Sequence, residues 1–306
     1  MAKIKFDRLK DIAAIVAPAS PFKDEKGFRD ISLSMKELRG AISLFEKFSI
    51  KCKYDDKIFS GDNLEYFAAT REERLRQFKE ALEDPSVKII SALRGGYGSS
   101  EIVFDCLDLK PCGPKILIGF SDITVLHFLF NKHYGFPSIH GIVNEKYKYM
   151  TAKIVSILAG NKAQFTLKPL NGKAKEDVNI EGITTGGNLT LICNMIGTRL
   201  SPDNENKIIV IEDVAVRGYQ VHRQLLHMYN AGLFKNAAAL ILGDFAQSDV
   251  FLEDTLNVFA ENYLDRLPVF QTLNIGHCDE NYPFALNALG IIKNKKLFIE
   301  SPFESV

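Results

Sequence analysis

Three side-chain types needed for nucleophilic acyl transfer stand at the ends of apolar runs in this 306-residue chain. Ser121 closes the run "KILIGF" (115–120), Glu212 closes "KIIVI" (207–211), and His277 follows "LNIG" (273–276). A serine hydroxyl is a poor nucleophile until a base takes its proton, and the base needs an acid to fix its tautomer. An alcohol, a carboxylate and an imidazole supply those roles. Each also has a plainer meaning. Ser121 and Asp122 stand where a helix would begin, and both residue types are common N-caps. The pair Glu212-Asp213 ends an apolar strand pattern, where it can be an edge cap, a metal-ligand pair or the partner of a histidine. A single histidine in a loop, as at 277, is ordinarily a polar loop residue.

The chain order serine, acid, histidine is the one found in α/β-hydrolases, although the local motif is G-x-S-D rather than G-x-S-x-G. A helix N-terminus beneath Ser121 would offer free N–H groups and a positive dipole end to an oxyanion. "RGGYGSS" (94–100) supplies three glycines that let backbone approach a ligand closely. It is a GGxG pattern and not the dinucleotide fingerprint G-x-G-x-x-G, and no acidic residue follows a second strand at the required distance. The remaining histidines are weaker candidates. His127 lies inside an apolar helical pattern and reads as a satisfied core residue. His222 and His227 are five apart and fall on different helix faces. His140, in "SIHG", follows a short apolar segment and is expected to line the same edge as Ser121.

Elements must carry these residues. "IAAIVAPAS" (12–20), "VKIISAL" (87–93) and "KILIGF" read as buried strands. Helical spacing runs through 30–48, 71–84 and 122–134. Short apolar strands alternating with helices predict a parallel sheet covered on both faces. Ligands of such sheets bind beyond the carboxyl ends of the strands, where Pro18–Ser20, Arg94–Gly98 and Gly119–Asp122 are expected to cluster. After about residue 160 the chain turns polar and rich in Gly and Lys. The reading is a first domain over 1–160, a linker over 161–180 and a mixed α/β domain over 181–306.

Bulk properties narrow the function classes. Thirty-eight basic residues balance thirty-eight acidic ones, so no global field gathers a polyanion and a nucleic-acid role is not expected. Five cysteines without a pairing pattern or a CxxC indicate reduced thiols, a cytoplasmic address and no zinc ribbon. The opening segment "MAKIKFDRLKDIAAIVAP" does not read as a signal peptide, and no apolar run reaches the ~20 residues of a membrane span.

The assembled motifs resemble the LD-carboxypeptidase family of serine peptidases, which also contains the microcin C immunity peptidases. "VAPAS", "YFAATREERLRQFKEALEDPSVKIISALRGGYGS", "GFSD", "SIHG", "GGNLTLICNMIGT", "IVIEDV", "LILGDF" and "NIGHCDEN" are similar to the family's motifs, in the family's order. The chain departs at the opening loop, where Ala19-Ser20 stands in place of a serine directly after proline. The tail "YPFALNALGII" matches loosely.

The resemblance implies a flavodoxin-like N-terminal domain and a smaller mixed α/β C-terminal domain. It implies a nucleophile at Ser121, a general base at His277 and its orienting acid at Glu212, with the backbone N–H groups of Gly96 and Asp122 as oxyanion hole. Arg94, Ser20 and His140 are the candidates for substrate binding. It further implies a murein tetrapeptide substrate cut before its terminal D-alanine, no metal or other cofactor, and a homodimer. Two other functions compete. A microcin-type peptidase of this family would stack a nucleobase on tryptophan, and this chain has no Trp. A non-catalytic peptide-binding protein would not need the nucleophile, base and acid together.

Overall fold

The computed structural model describes residues 3–306. Met1 and Ala2, the start of the opening segment, lie outside the described residues. Two compact units form, one running up to Gly160 together with Pro302–Val306, the other Asn161–Ser301.

The first unit contains β1 (Ile4–Phe6), β2 (Ile12–Val16), α1 (Ile31–Glu46), β3 (Lys51–Lys53), α2 (Arg71–Glu83), β4 (Val87–Ala92), α3 (Ser99–Ile102), β5 (Ile116–Gly119), α4 (Thr124–Phe128), β6 (Ser138–His140) and α5 (Thr151–Leu158). Strands β2 to β6 are parallel and lie side by side as β3-β2-β4-β5-β6. In chain order that is 2-1-3-4-5, the flavodoxin-like arrangement. The central strands β2, β4 and β5 are largely apolar and buried, as in parallel sheets covered on both faces, whereas the edge strand β3 is Lys-Cys-Lys. β5 is buried at every position. Phe45 of α1 and Phe78 and Leu82 of α2 are fully enclosed, each worth about 1.5–3 kcal/mol of burial. Asp30 caps α1 by accepting from the Leu33 N–H at 2.8 Å, and Thr70 caps α2 by accepting from Glu73.

The sheet's order reverses between β2 and β4. Loop 17–21 and the glycine turn 94–98 leave the carboxyl ends of those two strands, and Ser121 leaves β5 next to them. The run 122–134, predicted as one helix, is a 3-10 turn (Ser121–Ile123), then α4, then a π-helical turn (Leu129–Tyr134). A side-chain periodicity cannot distinguish these pitches over so few residues.

The second unit contains β7 (Ala163–Thr166), β8 (Lys168–Pro169), α6 (Gly172–Lys175), β9 (Ile180–Asn188), α7 (Leu189–Met195), β10 (Lys207–Val214), α8 (Gly218–Asn230), β11 (Ala239–Ala246), α9 (Leu252–Tyr263), β12 (Val269–Gln271), β13 (Phe284–Leu286), β14 (Leu289–Lys293) and β15 (Lys296–Ile299). Its eight-stranded sheet has the order β7-β15-β14-β9-β10-β11-β12-β8. β9 to β12 are parallel, and antiparallel strands flank them on both sides. The architecture is therefore mixed α/β, as expected.

Residues 161–180, expected as a linker, instead carry β7, β8 and α6 and belong to the second unit. Their polarity has a structural cause. β7 and β8 are the two edge strands of the sheet, and edge strands keep charged and polar side chains toward water. The last five residues return to the first unit, where strand Phe303–Ser305 pairs in parallel with β1.

Candidate active site

In the first unit the site is built around a strained serine. Ser121 takes φ +61°, a left-handed conformation that an ordinary side chain adopts only when its surroundings impose it. The sharp strand-to-helix turn holds the side chain at the mouth of the sheet, half-buried. Gly95 lies directly against it: a Cβ there would stand 2.8 Å from the Ser121 Cβ and 3.1 Å from its Oγ. Only a glycine lets the two turns touch.

The neighbouring Gly96 has φ +107°, and a side chain there would collide with Ser20. Ser20 is almost fully buried. Its N–H donates to the Gly95 carbonyl at 3.3 Å, its Oγ accepts from the Tyr97 N–H at 3.0 Å, and its hydroxyl donates to the Tyr97 carbonyl at 3.4 Å. The Ser20 hydroxyl thus splints the glycine turn. The Asp122 carboxylate is buried and accepts from the Ser99 N–H at 2.8 Å. Burial pushes its carboxyl above the ordinary range, against that hydrogen bond.

Arg94 donates to the Pro21 carbonyl and lies over the Phe22 ring at 5.3 Å. Burial lowers its guanidinium from the usual arginine value. His140, expected at the substrate edge, is fully enclosed: its ring stacks on His127 at 6.3 Å and meets Phe120 edge-on at 5.9 Å. β6 is buried throughout, so the last residue of that strand turns into the packing and not outward.

In the second unit the structure brings Glu212 and His277 together. The Glu212 Oε2 accepts from His277 Nδ1 at 2.8 Å, and the carboxylate is buried. That bond assigns the ring proton to Nδ1 and leaves the lone pair on Nε2, the tautomer a general base requires. The register between β10 and β11 shifts here: Ile211 pairs with Leu242 but Asp213 with Phe245, so β11 carries one extra residue opposite Glu212, while Glu212 stays in register with Asn188 of β9. Gly276, at φ +124°, lets the His277 loop approach, since a Cβ there would lie 3.0 Å from the Glu212 Cβ. Asn281 accepts from the Gly276 N–H at 3.2 Å.

The two carboxylates of the pair divide their work. Asp213 accepts from Asn188 Nδ2 at 2.7 Å, the Thr190 N–H at 3.0 Å and the Thr190 hydroxyl at 2.8 Å, tying the start of α7 to β10. Asp244, at the end of β11, is raised above the usual carboxylate range by burial and by the nearby Glu212. Cys278 is no rival nucleophile, because burial pushes its thiol up to about 11.

Family models place the chain. The LD-carboxypeptidase N-terminal domain model matches residues 13–141, and the LD-carboxypeptidase C-terminal domain model matches 181–291. The chain belongs to the LD-carboxypeptidase family. It is accordingly a serine-type hydrolase. A carboxypeptidase-named protein of Rickettsia conorii is 36% identical over 302 residues, 94% of this chain and 90% of that one. The murein tetrapeptide carboxypeptidase of Pseudomonas aeruginosa is 29% identical over 254 residues, 76% of this chain and 81% of that one. Among solved structures, the muramoyltetrapeptide carboxypeptidase of Oxalobacter formigenes superposes with a TM-score of 0.75 at 26% identity, covering 94% of this chain and 98% of that one. A microcin C7 self-immunity protein shares the fold, with a TM-score of 0.78 at 17% identity over the whole of both chains.

Sequence reasoning missed one residue of this LD-carboxypeptidase's site region. Arg74 is buried beneath the glycine turn, and its guanidinium reaches the carbonyls of Pro18, Ala69 and Gly98. The signal was present. Arg74, Phe78, Ala81 and Leu82 share the buried face of α2, so a charged residue stood in an apolar stripe.

Proposed function

We propose that this LD-carboxypeptidase hydrolyses the bond between the L-centre of a diamino acid and the terminal D-alanine of a murein tetrapeptide, with Ser121, His277 and Glu212 as its triad. The observation that carries the reading is the 2.8 Å hydrogen bond from His277 to the buried Glu212 carboxylate, which arms an imidazole as a base. The relatives from P. aeruginosa and O. formigenes, named for murein tetrapeptide, support the substrate class.

His277 Nε2 takes the Ser121 proton as Oγ bonds to the scissile carbonyl carbon. The resulting oxyanion accepts from the backbone N–H groups of Gly96 and Asp122, each worth ~2.7–4 kcal/mol in hydrolases of this kind. The C–N bond then breaks, and the imidazolium gives its proton to the departing D-alanine amine. Water attacks the acyl-enzyme, passes a proton to His277, and Ser121 leaves with that proton restored. The strained φ of Ser121 and the close approach of Gly95 support its role, because both hold the hydroxyl against the turn that carries the Gly96 amide.

All five cysteines are free thiols, which supports a reducing, cytoplasmic setting. Among the described residues, no helix is long and apolar enough to cross a membrane. A homodimer follows from the family likeness alone, and light scattering checks it. Mass spectrometry of purified murein tetrapeptide after incubation with the protein tests the activity. The wild type is expected to release one alanine and Ser121→Ala none. Release undiminished in the variant would sink the assignment.

A further inference from the structure

We infer that Arg74 is a positioning residue for the proposed oxyanion turn. Its buried guanidinium fastens the glycine turn and the opening loop to the head of α2. The inference rests on the proposed roles of Ser121 and the Gly96 amide.

The Arg74 side chain is wholly enclosed. Nη1 donates to the Pro18 carbonyl and to the Gly98 carbonyl, both at 2.8 Å, and Nε donates to the Ala69 carbonyl at 3.0 Å. Nη2 donates to the Glu101 carboxylate, and the guanidinium plane lies 4.5 Å over the Phe67 ring. One side chain therefore meets three segments far apart in sequence: the loop after β2, the N-terminus of α2 and the glycine turn after β4.

The glycine turn needs such an anchor. Three of its four residues from 95 to 98 are glycines, which lose the most conformational freedom when fixed. The amide of Gly96 must nevertheless point at a developing oxyanion before that charge exists. The residues around it are held from several directions. The Gly95 carbonyl accepts from Ser20, Tyr97 is bridged by the Ser20 hydroxyl, and the Ser99 N–H donates to Asp122. The Gly98 carbonyl is held by Arg74. Ser20 itself sits two residues beyond Pro18, whose carbonyl takes the other Nη1 bond. Arg74 thus fixes both ends of the splint.

The chemistry selects arginine. A guanidinium presents five donors in a rigid fork, whereas an ammonium is a compact point charge on a flexible stem. A buried charge that served stability alone is replaceable by an apolar side chain of similar volume. Three carbonyl acceptors on separate segments, served from one fork, are not.

The test is kinetic and structural together. Arg74→Lys and the double variant Arg74→Met/Glu101→Leu are compared with wild type on murein tetrapeptide, with melting curves and amide hydrogen exchange over residues 95–99. The double variant removes both members of the charge pair, so no lone buried charge remains. The expected result is a folded protein whose kcat falls on the order of 10²-fold, the cost of an ångström-scale misplacement, with KM nearly unchanged. The 95–99 amides exchange faster, and the pH profile of the residual activity keeps its shape because the His277–Glu212 pair is untouched. A folded variant with wild-type kcat, or a loss confined to KM, overturns the inference. Failure of both variants to fold also overturns it, since Arg74 then belongs to stability. The activity assignment fails separately: wild type would release no alanine, or release would survive Ser121→Ala. In that case unchanged exchange over 95–99 in a folded variant still overturns the positioning role, and accelerated exchange supports it.

Discussion

Glu212 and Asp213 are neighbours in sequence with opposite duties, and that contrast is the clearest lesson at the scale of single residues. Glu212 meets an imidazole, and Asp213 meets the first turn of α7. Glu212→Gln keeps the volume and can still bond to His277, but it no longer favours the Nδ1–H tautomer or stabilises the imidazolium. A kcat loss on the order of 10⁴-fold is expected, as in serine hydrolases whose triad acid becomes an amide. Melting temperature should hardly move, and steady-state kinetics beside calorimetry check both. Asp213→Ala is the converse. It takes the acceptor away from the buried Asn188 amide and from the half-buried Thr190 N–H and hydroxyl. A stability loss of about 1–3 kcal/mol is expected for each buried donor so orphaned, before relaxation. Urea unfolding reads it, and a stability equal to wild type would show that Asp213 is not the cap of α7. The sequence placed both acids at a strand end but could not separate them. Which of two adjacent carboxylates faces the histidine depends on where the loop carrying His277 returns to β10, 65 residues further along the chain, and no side-chain pattern records that.

At the scale of elements, β2, β4 and β5 were legible because each is a short apolar run closed by a turn, whereas β3, Lys-Cys-Lys at the sheet edge, shows no such run. The strand-end cluster was legible for the same reason. The pitch of the helical run after Ser121, and the strands within 161–180, were not. The first depends on backbone geometry, and the second on edge strands whose polar faces resemble a loop. His127 shows what α4 does mechanically. It joins the ends of two strands, with Nδ1 2.8 Å from the Ser138 hydroxyl on β6 and Nε2 2.9 Å from the Gly119 carbonyl on β5. A carbonyl only accepts, so the proton sits on Nε2, and Nδ1 accepts from Ser138. Burial first, then the adjacent His140, push His127 down from 6.5 to about 3. The folded state thus holds it neutral while the unfolded chain protonates at the ordinary value. Fewer protons bound in the native state means that stability rises with pH across this window. The contribution is complete above 6.5 and is lost progressively as the pH falls toward 3. His127→Gln retains a donor and an acceptor but does not titrate. It is expected to flatten the fall of the urea midpoint with acidification, whatever it does to stability at neutral pH. An unchanged slope in the variant would assign the acid sensitivity to other groups.

At the scale of the whole molecule, the chain closes its first unit with its last residues. A boundary drawn from composition places 302–306 with the segment before them, because sequence continuity is the only guide. The structure returns them to β1, where Ile4 pairs with Phe303 and Phe6 with Ser305. Phe303 is fully buried, Phe6 nearly so, and the strand packs against α5. Five residues are too few to show a period, so a strand there was not legible. Its energetic weight is nonetheless large. Phe303→Ala removes an enclosed ring from a close-packed site and is expected to cost about 3–5 kcal/mol. The cost should fall on one unit. Hydrogen exchange is expected to accelerate over Ile4–Phe6 and Thr151–Leu158, while β10 and β11 of the second unit keep their protection. An even loss over both units would mean that they unfold as one cooperative body. No loss anywhere would mean that the terminal strand is an ornament of the fold and not one of its supports.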